Sequence, residues 1–159
     1  MRNFFYLWIS VICLMVSSCS SEEHKNNAST KIIVGVWRPI KVVEVYLDGS
    51  SHTVETYEGC GINNRWFFYD DGGYDKEEFL KDYEGNCNQD SESFNMVKGS
   101  WKKLEENNYT IIITYQDGGT DTERPEITFP NKNTMLLTYD GGEETPEVDY
   151  SYHEFSRVE

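Results

Sequence analysis

From Ile32 onward, short runs of β-branched and aromatic residues alternate with turns rich in Asp, Asn and Gly. The runs are Val34–Leu47, His52–Tyr57, Arg65–Tyr69, Tyr74–Leu80, Phe94–Leu104, Tyr109–Tyr115, Thr120–Phe129, Thr134–Tyr139 and Val148–Val158. Between them stand Asp48-Gly49, Asp70-Asp71-Gly72-Gly73, Asn107-Asn108, Asp117-Gly118-Gly119, Pro130-Asn131 and Asp140-Gly141-Gly142. The Asp-Gly and Asn-rich pairs among them tolerate the positive φ of tight turns, so the pattern predicts successive hairpins. Within runs the apolar residues alternate: Trp66 with Phe68, and Tyr109, Ile111, Ile113 with Tyr115. That is the spacing of a sheet with one buried face.

The expected fold class is therefore all-β: an antiparallel up-and-down meander closing into an eight- to nine-stranded barrel. A Greek-key sandwich is the competing architecture, and only the polar stretch Lys81 to Glu92 offers the long connection it needs. The segment Asp75 to Glu84 carries Phe79, Leu80 and Tyr83 and allows one helical turn at most.

Residues 1–18 do not belong to that fold. Arg2 supplies a positive start, Phe4 to Val16 an apolar run, and Ser17-Ser18 the small residues of a secretory signal. The run is shorter than the roughly 20 residues that span a bilayer. Val16-Ser17-Ser18-Cys19 resembles the bacterial lipobox, which implies cleavage before Cys19 and its acylation. Two or three acyl chains, at about 0.8 kcal/mol per buried methylene, hold such a protein at the membrane. Residues 19–31 then read as lipidated Cys and flexible tether, and 32–159 as the folded domain. Ser20-Ser21-Glu22-Glu23 resembles the acidic surface-export signal of Bacteroidetes lipoproteins. The expected address is the cell envelope, lipid-anchored, at the outer membrane and facing the surface.

The formal charge is −14, and loss of Arg2 with the signal takes it to −15. A surface this acidic repels phosphate backbones, which excludes nucleic acid as a partner. Four Cys are present; Cys13 leaves with the signal and Cys19 is spoken for. Cys60 and Cys87 remain, in an oxidising compartment. A disulfide between them is the simplest account, worth roughly 3 to 4 kcal/mol for a loop of about 28 residues. A free nucleophilic thiol and a metal site are the alternatives; neither Cys lies in a C-x-x-C pair and no His is near in sequence.

Three groups of residues carry a family resemblance. Gly35-Val36-Trp37 opens the first run as Gly-x-Trp does in lipocalins. Cys60 precedes Trp66-x-Phe68 and Asp71-Gly72. Gly99-Ser100-Trp101 leads into Tyr109 to Tyr115 and Met135-Leu136-Leu137. Together they resemble the lipocalin-like lipoprotein domains of Bacteroidetes, of calycin architecture, over nearly all of Ile32 to Val158. The resemblance implies that Trp37 packs at the closed end of the barrel beneath an Arg from the last strand, for which Arg157 is the candidate. Gly35, Trp37 and Arg157 are then structural closing residues rather than ligand contacts. The chain departs from lipocalins proper in having no clear Thr-Asp-Tyr loop motif.

No catalytic constellation is expected, nor any cofactor. His24, His52 and His153 stand apart from any nucleophile motif such as G-x-S-x-G. Glu77-Glu78 and Glu143-Glu144 read as a solvated face and a loop rather than a glycosidase pair. Asp70, Asp71 and Asp75 lack EF-hand spacing and fit a hairpin turn without an ion. Aromatic residues make up 14% of the chain, which suits strand packing or an aromatic-lined mouth equally. Two functions stay open: a membrane-tethered module binding a small hydrophobic molecule in the barrel, and a structural or protein-interaction lipoprotein with a filled one.

Overall fold

The computed structural model describes residues 31–90, 95–142 and 145–158. Twelve strands run through them: β1 (Gly35–Tyr46), β2 (Ser51–Thr56), β3 (Arg65–Phe68), β4 (Gly73–Glu77), β5 (Phe79–Lys81), β6 (Cys87–Gln89), β7 (Met96–Lys103), β8 (Tyr109–Tyr115), β9 (Thr120–Glu123), β10 (Glu126–Asn131), β11 (Thr134–Asp140) and β12 (Val148–Val158). A helical turn at residues 31–33 leads into β1, and a 3-10 helix, Gly59–Asn63, follows β2. Among the described residues no helix is long and apolar enough to cross a membrane.

Ten strands form one antiparallel sheet in the order β10-β11-β12-β1-β3-β4-β7-β8-β9, with β2 paired to β1 beside β3. Chain neighbours are sheet neighbours almost throughout, as a meander requires, and the first and last strands are paired over their whole length, from Val36 opposite Val158 to Tyr46 opposite Val148. Strands β5 and β6 make a separate two-stranded hairpin.

Twelve strands replace the expected eight or nine for local reasons. The run Thr120–Phe129 is split at Arg124-Pro125, because Pro has no N–H for the ladder. The run Tyr74–Leu80 divides into β4 and β5 at Glu78. No helical turn forms over Asp75 to Glu84; its residues extend into these strands and a turn held by Asp82, whose carboxylate accepts from the backbone N–H of Glu84 at 2.9 Å and of Asn86 at 2.8 Å. Of the polar stretch Lys81 to Glu92, the described residues 81–90 thus fold into the β5–β6 hairpin.

One face of the main sheet supplies a single core: Trp37, Trp66, Phe68, Tyr74, Tyr109, Ile111, Ile113, Ile127, Met135, Leu137 and Phe155, with Ile33 from the helical turn. The ladder explains the selection. Trp37 is opposite Trp66, Phe68 opposite Tyr74, Ile127 opposite Leu137 and Met135 opposite Phe155, and antiparallel partners share a face. Gly99 lies opposite Tyr74; a Cβ there would collide with the Tyr74 carbonyl, so glycine lets β4 and β7 approach.

Past β9 the chain turns at Pro125, and the start of β10 bonds back to the start of β8. Tyr109 N–H donates to the Pro125 carbonyl at 3.0 Å and Ile127 N–H to the Asn107 carbonyl at 2.7 Å, with Asn108 and Glu126 bridged in antiparallel fashion.

Candidate functional site

The core changes character from one end to the other. At the end where β1 begins and β12 finishes, Trp37 is fully buried. Its indole Nε1 donates to the Ile33 carbonyl at 2.7 Å, and Phe129 packs against it with ring centroids 5.8 Å apart. The Arg157 guanidinium lies 4.2 Å above the Trp37 ring. Arg157 also donates to the carbonyls of Val34 (2.9 Å), Ile32 and Lys132 (2.9 Å). Gly35 has φ +142°, and a Cβ on it would strike Arg157 Nη1. This end is closed by packed rings and satisfied donors.

Beside Trp37 stands its cross-strand partner Trp66, and from there toward His153 and Tyr139 the core is lined by rings that carry polar atoms. Trp66 contacts Tyr74 edge-on (5.9 Å, 81°), Phe155 (4.7 Å) and His153 (6.5 Å), and Tyr139 meets His153 at 5.6 Å. Pairing fixes the inward direction: His153 is opposite Leu137 and Glu123 opposite Ile111, both partners being core residues. Tyr139 Oη donates to Glu123 Oε2 at 2.6 Å. Lys76, opposite Trp66, pairs with Glu78 at 3.2 Å.

Burial and charge shift this set together. Desolvation, then the Glu123 carboxylate, raises Tyr139 far above a free phenol. Tyr74 is raised by the same two causes in the same order, and Tyr57 by desolvation followed by Glu55 and Glu78. Burial lowers the His153 imidazole. At neutral pH these rings are thus uncharged donors or acceptors among carboxylates. Trp66 Nε1 and His153 Nδ1 are buried without a hydrogen-bond partner.

The residues singled out by sequence are distributed as follows. Cys60 and Cys87 are joined by a disulfide, with Cα atoms 5.3 Å apart, tying the 3-10 helix to β6. Buried Asn64 adds to this junction, its Oδ1 accepting from Phe79 N–H at 2.8 Å. Asp71 accepts from Gly73 N–H at 2.8 Å in the β3–β4 turn, and Asp75 caps the backbone N–H of Lys76. Among the described residues no three His, Cys, Asp or Glu side chains converge on a point that could hold a metal ion. His52 is exposed on β2, whereas His153 belongs to the inward set. Cys19, His24, Glu143 and Glu144 lie outside the described residues.

Sequence reading missed Glu123, Tyr139 and Lys76 as inward groups. Their signal was an ionisable or phenolic residue at alternation positions shared with apolar core residues, legible only once register is known. Two surface clefts lie by the turns that follow β8 and β1, and neither is lined by Trp66, Tyr139 or His153. One, about 490 Å³, is lined by Asn95, Tyr115, Gln116, Asp117 and Asp121; the other, about 360 Å³, by Tyr46, Leu47, Asp48, Ser50 and Glu147.

No model of a known protein family matches this chain, and no curated protein does.

Proposed function

We propose that this protein is a lipid-anchored envelope protein whose sheet closes as a lipocalin-like barrel and takes a small hydrophobic molecule at the end lined by Trp66, Tyr139 and His153. Support for closure comes from the bonds of Tyr109 and Ile127 to the Pro125 and Asn107 carbonyls. With β9 and β10 counted as one bent strand, they link β8 to β10 and leave no free end between β1–β12 pairing on one side and β8–β9 pairing on the other. One face of nearly every strand feeding one core fits a curled wall better than a flat sheet.

The observation that carries the binding reading is the gradient along the core. Rings and satisfied donors pack around Trp37, while the core from its neighbour Trp66 to His153 and Tyr139 gathers aromatic faces and polar atoms, two of them unpaired. Ligand sites are mostly apolar walls with a few convergent polar groups. In this reading the Cys19 lipid anchors the protein in the envelope and the polar tether holds the domain off the membrane.

Three measurements test the parts separately. Labelling with a palmitate analogue should mark the wild type and fail in Cys19→Ala. The Tyr109 and Ile127 amides should resist hydrogen exchange as strongly as those of the β1–β12 ladder; rapid exchange there would leave an open sheet. The neutral fluorescent probe N-phenylnaphthylamine should bind saturably at one molecule per chain.

A second reading, a filled barrel that docks a protein, draws on exposed Ile62, Leu80 and Tyr83 on the disulfide-linked hairpin and 3-10 helix. Absence of saturable probe binding would favour it.

A further inference from the structure

We infer that the ligand of this site is a neutral molecule presenting a hydrogen-bond acceptor to Trp66 Nε1, and that carboxylic acids of the same shape are refused. This rests on the binding reading above and adds the ligand's chemistry.

The case begins with three described indoles. Trp37 Nε1 donates to the Ile33 carbonyl at 2.7 Å, and Trp101 Nε1 to the Tyr69 carbonyl at 2.9 Å. Trp66 is 7% exposed, yet its Nε1 has no protein partner. An indole nitrogen can only donate, and leaving a buried donor unmatched is unfavourable because its lost hydration is not replaced. The fold thus supplies acceptors for two indoles and withholds one from the third.

His153 Nδ1 is also buried and unpaired, on a ring 6.5 Å from that of Trp66. The two orphan nitrogens therefore belong to one locality. The third such atom, Arg38 Nε, follows Trp37 in β1 and so projects to the other face of the sheet.

The acceptors of the locality are already engaged. Glu123 receives the Tyr139 hydroxyl at 2.6 Å and Glu78 the Lys76 ammonium at 3.2 Å. The Trp66 donor is unmet, so the group on a ligand that complements it is an acceptor such as a ketone or ring carbonyl. Tyr74, edge-on to Trp66, and Phe155, 4.7 Å from it, pack directly on the indole and make its surroundings apolar.

Charge sets the refusal. Lys76 is matched by Glu78, which leaves the Glu123 carboxylate unbalanced, and burial keeps His153 from supplying a cation. A carboxylate ligand would lose its own hydration and meet like charge in a poorly screened interior.

The test uses the full chain reconstituted in lipid nanodiscs, with empty nanodiscs as the blank. Its indole N–H resonances are followed by NMR during titration with three probes of one shape: acetylnaphthalene, ethylnaphthalene and naphthoate. Acetylnaphthalene should shift the Trp66 indole proton downfield and saturate, and should bind about tenfold more tightly than either of the others. Trp66→Phe assigns the resonance and should erase the advantage of acetylnaphthalene over ethylnaphthalene; the wild-type series decides the matter even if that variant fails to fold.

Equal binding of ethylnaphthalene overturns the acceptor inference and leaves the binding reading standing. Tightest binding of naphthoate overturns the refusal of acids. If N-phenylnaphthylamine binds while none of the three moves the Trp66 signal, the orphan nitrogens bond to water and this inference falls alone. If no probe binds, both fall.

Discussion

The Arg157 guanidinium stacks 4.2 Å above the Trp37 indole while its N–H groups reach the carbonyls of Val34, Ile32 and Lys132. One side chain near the end of β12 therefore ties down the segment entering β1 and the β10–β11 turn. A stacked cation of this kind contributes about 0.5 to 2 kcal/mol, and each of its hydrogen bonds adds roughly one more.

Arg157→Ala should accordingly lose about 2–4 kcal/mol, read as a lower urea midpoint with unchanged slope. Arg157→Lys should recover little of this, because an ammonium cannot stack and fork to three carbonyls at once. Full recovery by Lys would reduce the contact to simple charge.

Gly35→Ala should destabilise by about 1–3 kcal/mol, since φ +142° is strained for any L side chain and the new methyl meets Arg157 Nη1. Combining Gly35→Ala with Arg157→Ala tests the coupling. The double variant should be less unstable than the two single losses added together, because the clash is gone and only strain remains.

Cys60→Ala with Cys87→Ala should lower stability by about 2–5 kcal/mol and increase hydrogen exchange over β5, β6 and the 3-10 helix. The β1–β12 ladder should be unaffected in the folded state, since the disulfide joins only the hairpin and helix beside it. Equal loosening of both regions would show that the hairpin is integral to the sheet.

Burial lowers the His153 pKa, which gives its contribution a definite sign. The unfolded chain takes up a proton near pH 6.5 and the folded chain does so only below that. Folding stability should therefore decline as pH falls from 6.5 toward the folded value, and level off beneath it. His153→Phe should flatten this part of the profile; an unchanged slope would assign it to carboxylates instead.

At the alkaline side, Tyr57, Tyr74 and Tyr139 have raised pKa values, chiefly from desolvation. Spectrophotometric titration should show them still unionised at a pH where a free phenol, with a pKa of about 10, has lost its proton. Stability should drop above that pH, because the unfolded chain releases protons that the folded one retains. Tyr139→Phe should remove part of that loss.

The chain itself determined the class of fold. Alternation placed Trp66 with Phe68 and Ile111 with Ile113 on one face, and Asp-Gly turns marked most of the hairpins, because both are local properties of period and φ. Where the local rule was overridden, the cause was also local: Pro125 broke one run in two, and the Asp82 turn made a hairpin of a stretch that looked like a plain connection.

Only the tertiary structure decided what the core contains at each end. Glu123 and Tyr139 look like surface residues in the sequence, and whether they face in or out depends on pairing with Ile111 and with Ser151. Register inverts with a single-residue slip, and it is fixed by contacts between strands far apart in the chain. The lack of an acceptor for Trp66 is likewise a property of three dimensions: a missing partner can be recognised only when every neighbour has been placed.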